Sequence, residues 1–417
     1  MARPTPGPRR GDDRRIALVS VVVAAAFLAL AALASVAQSF GSVPAAPWLP
    51  LHLALAGGAT TAIAGVMPFF VAALSGGHPA PRWVRASAVA LVAAGALLVS
   101  ARAVWPTAVW VAGIGGLVFL AGVAATAAAT RSTGRSGLLV RRPIVTLGYR
   151  VALANLAIGA SLGTLAAIGF VPVIERWALL RPAHAWANLV GFVSVVVIAT
   201  LLHFLPTVLG TRIVPRRTAV IAVLGPALGV PIVVGGLVLG APAVAGGGAV
   251  VVCVAAVALA IEAVASVLAR GRWTTDPGWH LVAEAGLVAG VAWYVVGIAL
   301  ASAQLVAYAI GLTPIGWSTP LVAAALVVGW VVQVLIASWT HLVPAIGPGD
   351  QAAHAGQRAT LGRWAAPRLV ALNIGTALLA VGWPLGFGTV AGIGTVLVAA
   401  AVLSSVALAG RAVRDAR

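Results

Sequence analysis

Five of the seven histidines in this 417-residue chain lie in or beside long apolar runs: His52, His184, His203, His280 and His341. Inside a bilayer an ionisable side chain costs about 2.5 kcal/mol or more unless it has a partner, so intramembrane histidines mark candidate sites. Neutral imidazole is well suited to heme iron or copper there, because it offers a nitrogen lone pair without adding charge to a low-dielectric medium. A bis-histidine heme needs two such rings on facing helices, whereas a copper or zinc centre can use three. The phrase around these residues recurs. His203-Phe-Leu-Pro206 is answered by His341-Leu-Val-Pro344, and a weaker copy ends in Pro68. From Pro68 to Pro206 is 138 residues, and from Pro206 to Pro344 is again 138.

Other polar residues in the apolar runs are few. Glu284 follows His280 by four residues, hence on the same helical face, where it can orient that ring or accept a proton. Glu262 is a second intramembrane carboxylate with the same two readings: proton transfer, or a hydrogen bond to a neighbouring helix or a watery vestibule. Arg150 with Asn155, and Arg368 with Asn373, repeat one spacing. They can grip heme propionates through charge-assisted hydrogen bonds, and ordinary anchoring by positive charge explains the same arginines. His78 and His354 fall in loops, where they are expected to be solvated, His78 being placed to cap an inner site.

The elements that must carry these groups follow from composition. With 61% apolar residues, 8% charged residues and a mean hydropathy of +1.08, the chain has too little polar surface to cover a water-soluble globule. It reads as an all-α polytopic membrane protein. Twelve spans are expected at roughly 16–38, 50–74, 84–104, 107–130, 144–170, 183–209, 218–240, 243–269, 279–303, 319–346, 364–385 and 387–410. The 138-residue period divides this single membrane domain into three four-helix units, roughly 1–138, 139–276 and 277–417. The only cysteine, Cys253, lies in an apolar run, so neither a disulfide within the chain nor a cysteine-based metal site is available. The net charge of +18 is spread as short arginine clusters between spans, which argues against a nucleic-acid face. All 26 basic residues are arginine, and with a cytoplasmic N-terminus 23 of them fall on the inner side, leaving Arg102, Arg176 and Arg181 outside. That asymmetry predicts both termini in the cytoplasm. The first apolar run is too long for a signal peptide and is expected to be the first span. Seven tryptophans, Trp48 and Trp279 among them, fall at span ends as interfacial anchors. Pro226 and Pro231 are expected to kink span seven. In this topology His52 and His184 form an outer pair, while His203, His341 and His280 gather at the inner level.

Twelve spans in three four-helix repeats, with histidines on spans two, six and ten, resemble the catalytic subunit of the heme-copper oxidases. The segment Leu51-His52-Leu-Ala-Leu-Ala-Gly-Gly-Ala-Thr-Thr-Ala-Ile-Ala-Gly-Val-Met67, followed by Gly77-His78, is similar to part of the NnrS family, membrane proteins containing heme and copper and linked to nitric oxide metabolism. The stretch from Ala183 to Gly210, AHAWANLVGFVSVVVIATLLHFLPTVLG, resembles histidine-bearing helices across that superfamily. The likeness covers nearly the whole chain in architecture and two short segments in motif. It implies heme, with copper as a second possible metal, a redox electron donor, and a small diatomic ligand such as nitric oxide. It also implies a prokaryotic-type plasma membrane, and it makes His52 an outer heme ligand. Several family features are missing. Span six has no His-Pro-Glu-Val-Tyr, span seven has no histidines, and span ten has a single histidine instead of His-x-His. The NnrS-type His-x-His-Glu opening is absent too, and His78 is followed by Pro79 where that family has Thr-Gly-Arg. These departures argue against a terminal oxygen reductase. The expectation is a heme and/or copper protein in nitrogen-oxide or respiratory redox handling, possible as an oxidoreductase. The alternatives are a transporter or metal-handling permease using histidine ligands, and a structural partner of a redox complex.

Overall fold

The computed structural model describes residues 10–41, 46–135, 143–214, 216–270, 278–314 and 316–414. Arg3, Arg9, Arg141, Arg142, Arg272 and Arg417, part of the arginine count above, lie outside the described residues. Among those described there are no strands, and twelve helices are long and apolar enough to cross a membrane. The chain is an all-α polytopic integral membrane protein. Its spans are Arg14–Ser39, Trp48–Ser75, Arg82–Ala101, Val109–Thr133, Pro143–Ala167, Trp177–Val208, Arg217–Leu239, Pro242–Leu268, Trp279–Ala309, Thr319–Ile346, Ala365–Leu385 and Gly388–Arg414. Span six starts six residues before the sequence expectation, at Trp177. Two short helices, Val171–Ile174 and Gln351–Leu361, were not foreseen.

Spans two, six and ten form the centre. In the apolar stretch of these three, 72, 89 and 83% of the residues are buried, against 33–61% in the other nine. The nine make a closed ring. Spans three and four, seven and eight, and eleven and twelve pair as hairpins, and each hairpin's second helix leans on the next span in line, four on five, eight on nine, and twelve back on one. Bare glycine backbone lets two of these hairpins close. A Cβ on Gly229 would stand 2.8 Å from the Gly248 carbonyl oxygen, and one on Gly375 would stand 2.9 Å from that of Gly394. Lipid gives helices no hydrophobic reason to associate, so such close approach is a main source of contact.

Each central helix departs from α geometry for part of its length. Leu53–Ala59, Trp186–Ser194 and Ala324–Val332 are π-helical, and the three segments touch one another at the middle of the bundle. A π turn carries one more residue than an α turn, so its hydrogen bonds reach five residues back. The hydroxyls that close two of these segments follow that geometry. Thr60 donates to the Leu55 carbonyl (2.9 Å) and Ser194 to that of Leu189 (2.8 Å), whereas hydroxyls in the α-helical stretches, such as Thr340 to Ile336, reach four back. Pro68, Pro206 and Pro344 also sit inside these helices. Proline removes one amide donor and leaves the carbonyl four residues earlier without its usual partner. For Pro344 that carbonyl belongs to Thr340, and the indole N–H of Trp279 on span nine donates to it. Pro226 and Pro231 lie within one continuous helix. The bundle end at which the central helices begin is called upper below, and the end at which they finish lower.

Candidate metal centre at the upper end

Span two opens with one α turn, Trp48–His52, and its π segment starts at the next residue. Span six carries His184 two residues before its own π segment. The two imidazole rings meet between these helices, with centroids 6.1 Å apart and planes 17° from parallel. Trp48 stands edge-on to His52 at 5.1 Å, and Trp177 covers His184 at 6.1 Å.

Each ring is fixed by a backbone carbonyl. Nδ1 of His52 lies 2.9 Å from the Trp48 oxygen, and Nδ1 of His184 lies 2.8 Å from the Gly159 oxygen on span five. A carbonyl can only accept, so the Trp48 and Gly159 contacts favour a proton on Nδ1 of each ring and a lone pair on Nε2, while the Asn188 amide nitrogen, a donor 3.2 Å from Nδ1 of His184, favours the opposite tautomer of that ring. Neither Nε2 makes a hydrogen bond to any described residue. Asn188, one turn after His184, donates to the His184 backbone carbonyl at 2.9 Å. Span five makes room through two glycines: a Cβ on Gly159 would collide with the Asn188 amide, and one on Gly163 would stand 2.7 Å from Cε1 of His184. The indole nitrogen of Trp186 and Oδ1 of Asn188 are buried without a hydrogen-bond partner. This level of the bundle therefore holds more hydrogen-bonding capacity than the protein itself uses.

The donor set fits a metal held by two imidazoles. Carbonyl-anchored Nδ1–H groups are the usual outer partners of ligating histidines, fixing the tautomer and raising ligand basicity. Among the described residues no group of three or more His, Cys, Asp or Glu side chains could hold an ion. A metal here would draw its remaining ligands from elsewhere, as heme iron does from its porphyrin, or use only two, which copper in its reduced state tolerates.

At the lower end the expected three-histidine group is not assembled. His203 and His280 are buried, 9 and 8% exposed, and aromatic rings pack against all three imidazoles. Phe70 stands edge-on to His203 at 5.6 Å and Phe204 to His341 at 5.5 Å; Trp279 stacks on His341 at 5.2 Å and meets His280 at 4.1 Å. Nδ1 of His341 is buried there without a hydrogen-bond partner.

The two arginines expected at heme propionates lie apart from the histidine pair. Arg150 is exposed and lies nine residues before Gly159, about 13 Å lower along span five at about 1.5 Å per residue. Arg368 is buried at the lower end, where it donates to the Leu361 carbonyl at 2.5 Å and the Ser405 hydroxyl at 3.1 Å. Neither reaches the level of the His52–His184 pair. Glu284 is held by Arg270 at 2.6 Å. Glu262 accepts a hydrogen bond from the Thr218 hydroxyl and lines a lower cavity of about 150 Å³ together with His203, Arg212 and Arg216.

Sequence reasoning passed over Gly159, Gly163 and Asn188. Two signals were available: glycines four apart on span five, which announce close helix approach, and an asparagine one helical turn after a histidine. Comparison with protein-family models and with curated proteins gives no match to this chain.

Proposed function

We propose that the chain is a membrane-embedded metal protein in which His52 and His184 hold one redox-active metal, with heme iron as the first candidate occupant and copper as the second. The observation that carries this reading is the pair of Nε2 lone pairs left over when both Nδ1 atoms are bound to carbonyls, 6.1 Å between ring centroids, in an apolar bundle. Both histidines are half-buried, and a cation between them would use both lone pairs.

A heme iron bound there would exchange single electrons between a donor and an acceptor. The chain's own residues would do the rest. Gly159 and Trp48 hold the proton on Nδ1 and keep each ring in orientation. Trp48 and Trp177 cover the histidines from water, and the apolar walls exclude competing ligands. Held by both histidines, such a group would supply electron transfer, with a diatomic ligand such as nitric oxide as the small molecule it would handle. Nitrogen-oxide or respiratory redox handling in a prokaryotic-type plasma membrane is the setting this favours. The lower end carries Arg212, Arg216, Arg217, Arg358 and Arg363, which supports a cytoplasmic lower face and cytoplasmic termini.

The test is visible absorption, pyridine hemochrome and metal analysis of purified protein. A Soret band lost in His52→Ala and in His184→Ala supports the reading. Wild-type protein that is colourless, metal-free and unable to take up heme or copper overturns it. A permease that passes copper between histidines is the second reading, favoured by the π segments and internal prolines of all three central spans, since interrupted helices line transport sites. Copper movement across vesicles by colourless protein would select it.

A further inference from the structure

A second site, separate from the histidine pair, is built at the lower end where spans nine and eleven begin. Trp279, the first residue of span nine, is fixed by its bond to the Thr340 carbonyl and by its stack on His341. The guanidinium carbon of Arg358, on the short helix Gln351–Leu361, stands 5.8 Å from the centre of the same indole. That of Arg363 stands 5.9 Å from the ring of Trp364. Between them opens a recess of about 770 Å³ lined by Trp279, His280, Arg358, Gly362 and Arg363. Gly362 makes it possible, because a Cβ there would stand 2.7 Å from the Trp279 backbone nitrogen and drive the arginine-bearing segment away from span nine.

Among the described residues that line it the recess is cationic. Neither Arg358 nor Arg363 is paired with a carboxylate among the described residues, while nearby Glu284 is taken by Arg270. A guanidinium offers a planar fork of donors that matches phosphate oxygens, and a tryptophan face beside it is a weakly hydrated platform that leaves those donors available. The site lies at headgroup depth: both tryptophans sit at span starts, and Trp364 is 61% exposed. Its volume exceeds what a single small anion fills. The geometry points to this recess as the binding site for the phosphate headgroup of one anionic phospholipid, held by Arg358 and Arg363 against Trp279. Through the Trp279–His341 stack the bound lipid would brace the lower end of span ten.

The experiment compares wild type, Arg358→Gln/Arg363→Gln, and Arg411→Gln/Arg414→Gln, the last removing equal charge from exposed positions elsewhere at the same end. Lipid retained through detergent exchange is counted by native mass spectrometry, and thermal midpoints are compared in phosphatidylglycerol and phosphatidylcholine nanodiscs. Wild type and Arg411→Gln/Arg414→Gln are expected to keep one anionic phospholipid per chain and to melt higher in phosphatidylglycerol. Arg358→Gln/Arg363→Gln is expected to lose both properties, and Arg363→Gln alone, at an exposed position, to weaken retention about tenfold. Equal retention in the Arg358/Arg363 variant, or equal loss in both double variants, would overturn the site. Stabilisation by inorganic phosphate in lipid-free detergent, with no further gain from phosphatidylglycerol, would overturn the lipid as its occupant.

Discussion

Nδ1 of His184 lies 2.8 Å from the carbonyl oxygen of Gly159, so a glycine on span five sets the tautomer of a histidine on span six. One turn further on, Gly163 leaves the space that the same ring occupies, and a Cβ there would stand 2.7 Å from Cε1. Gly163→Ala is therefore expected to displace the ring while the helix itself gains roughly 0.5–1 kcal/mol from the better helix former. Metal or heme affinity should fall about 10–100-fold, as for other groups that orient a ligand. Metal content and thermal midpoint, measured together, check this: the first drops and the second does not.

If His52 and His184 serve one centre, their losses do not add. His52→Ala, His184→Ala and the double variant are expected to have the same low metal content, because either single change already leaves one ligand. Metal analysis of the three proteins decides, and a double variant well below both single ones would indicate two separate sites.

Spans six and ten are tied at the bundle centre by Trp330, whose indole nitrogen donates to the Ser194 hydroxyl at 3.0 Å. Ser194→Ala would leave that buried N–H unpaired, at about 1–3 kcal/mol. Ser194→Thr keeps an acceptor and should cost less. Thermal unfolding of the two variants in one detergent gives the comparison.

Arg368 separates a structural role from a cofactor role. Its bonds to the Leu361 carbonyl and the Ser405 hydroxyl predict that Arg368→Met lowers stability by about 1–3 kcal/mol. Heme or metal per folded chain should stay at the wild-type level. Loss of the chromophore from a folded Arg368→Met protein would support a propionate role instead.

Asp350 caps the helix Gln351–Leu361, and the Ala353 backbone N–H bonded to its carboxylate holds that carboxyl below its usual 3.8. A carboxyl depressed in the folded state adds stability above its unfolded value and loses it as pH falls through the folded value. The protection factors of this helix, which divide out the intrinsic pH dependence of amide exchange, should be high at neutral pH and fall below about pH 4. Asp350→Ala should show low protection throughout, with no such acid step.

The twelve spans were legible because crossing a bilayer is a local property, a matter of how many consecutive apolar residues a stretch contains. The three phrases ending in proline likewise marked the helices that became the centre. Their π segments were not legible. Nothing in Trp186–Ser194 or Ala324–Val332 reads as other than an apolar helix, and the wider turn is settled by how three such helices fit against one another.

The histidines divide along the same line. Sequence by itself put five imidazoles in a membrane, and the repeat put His203 and His341 at equal depth, each three residues before its proline. Tertiary structure decided which rings meet. His52 lies 16 residues before Pro68 and His184 lies 22 before Pro206, so the period does not align them, yet their centroids are 6.1 Å apart. His203 and His341, which the period does align, are packed against Phe70, Phe204 and Trp279. The physical reason is rotation. Depth along a helix follows from residue count, but the direction in which a side chain points depends on the turn of each helix about its axis. Here that turn is set by an extra residue in each π segment and by the neighbours, such as Gly159 and Gly163, that leave room on one side only.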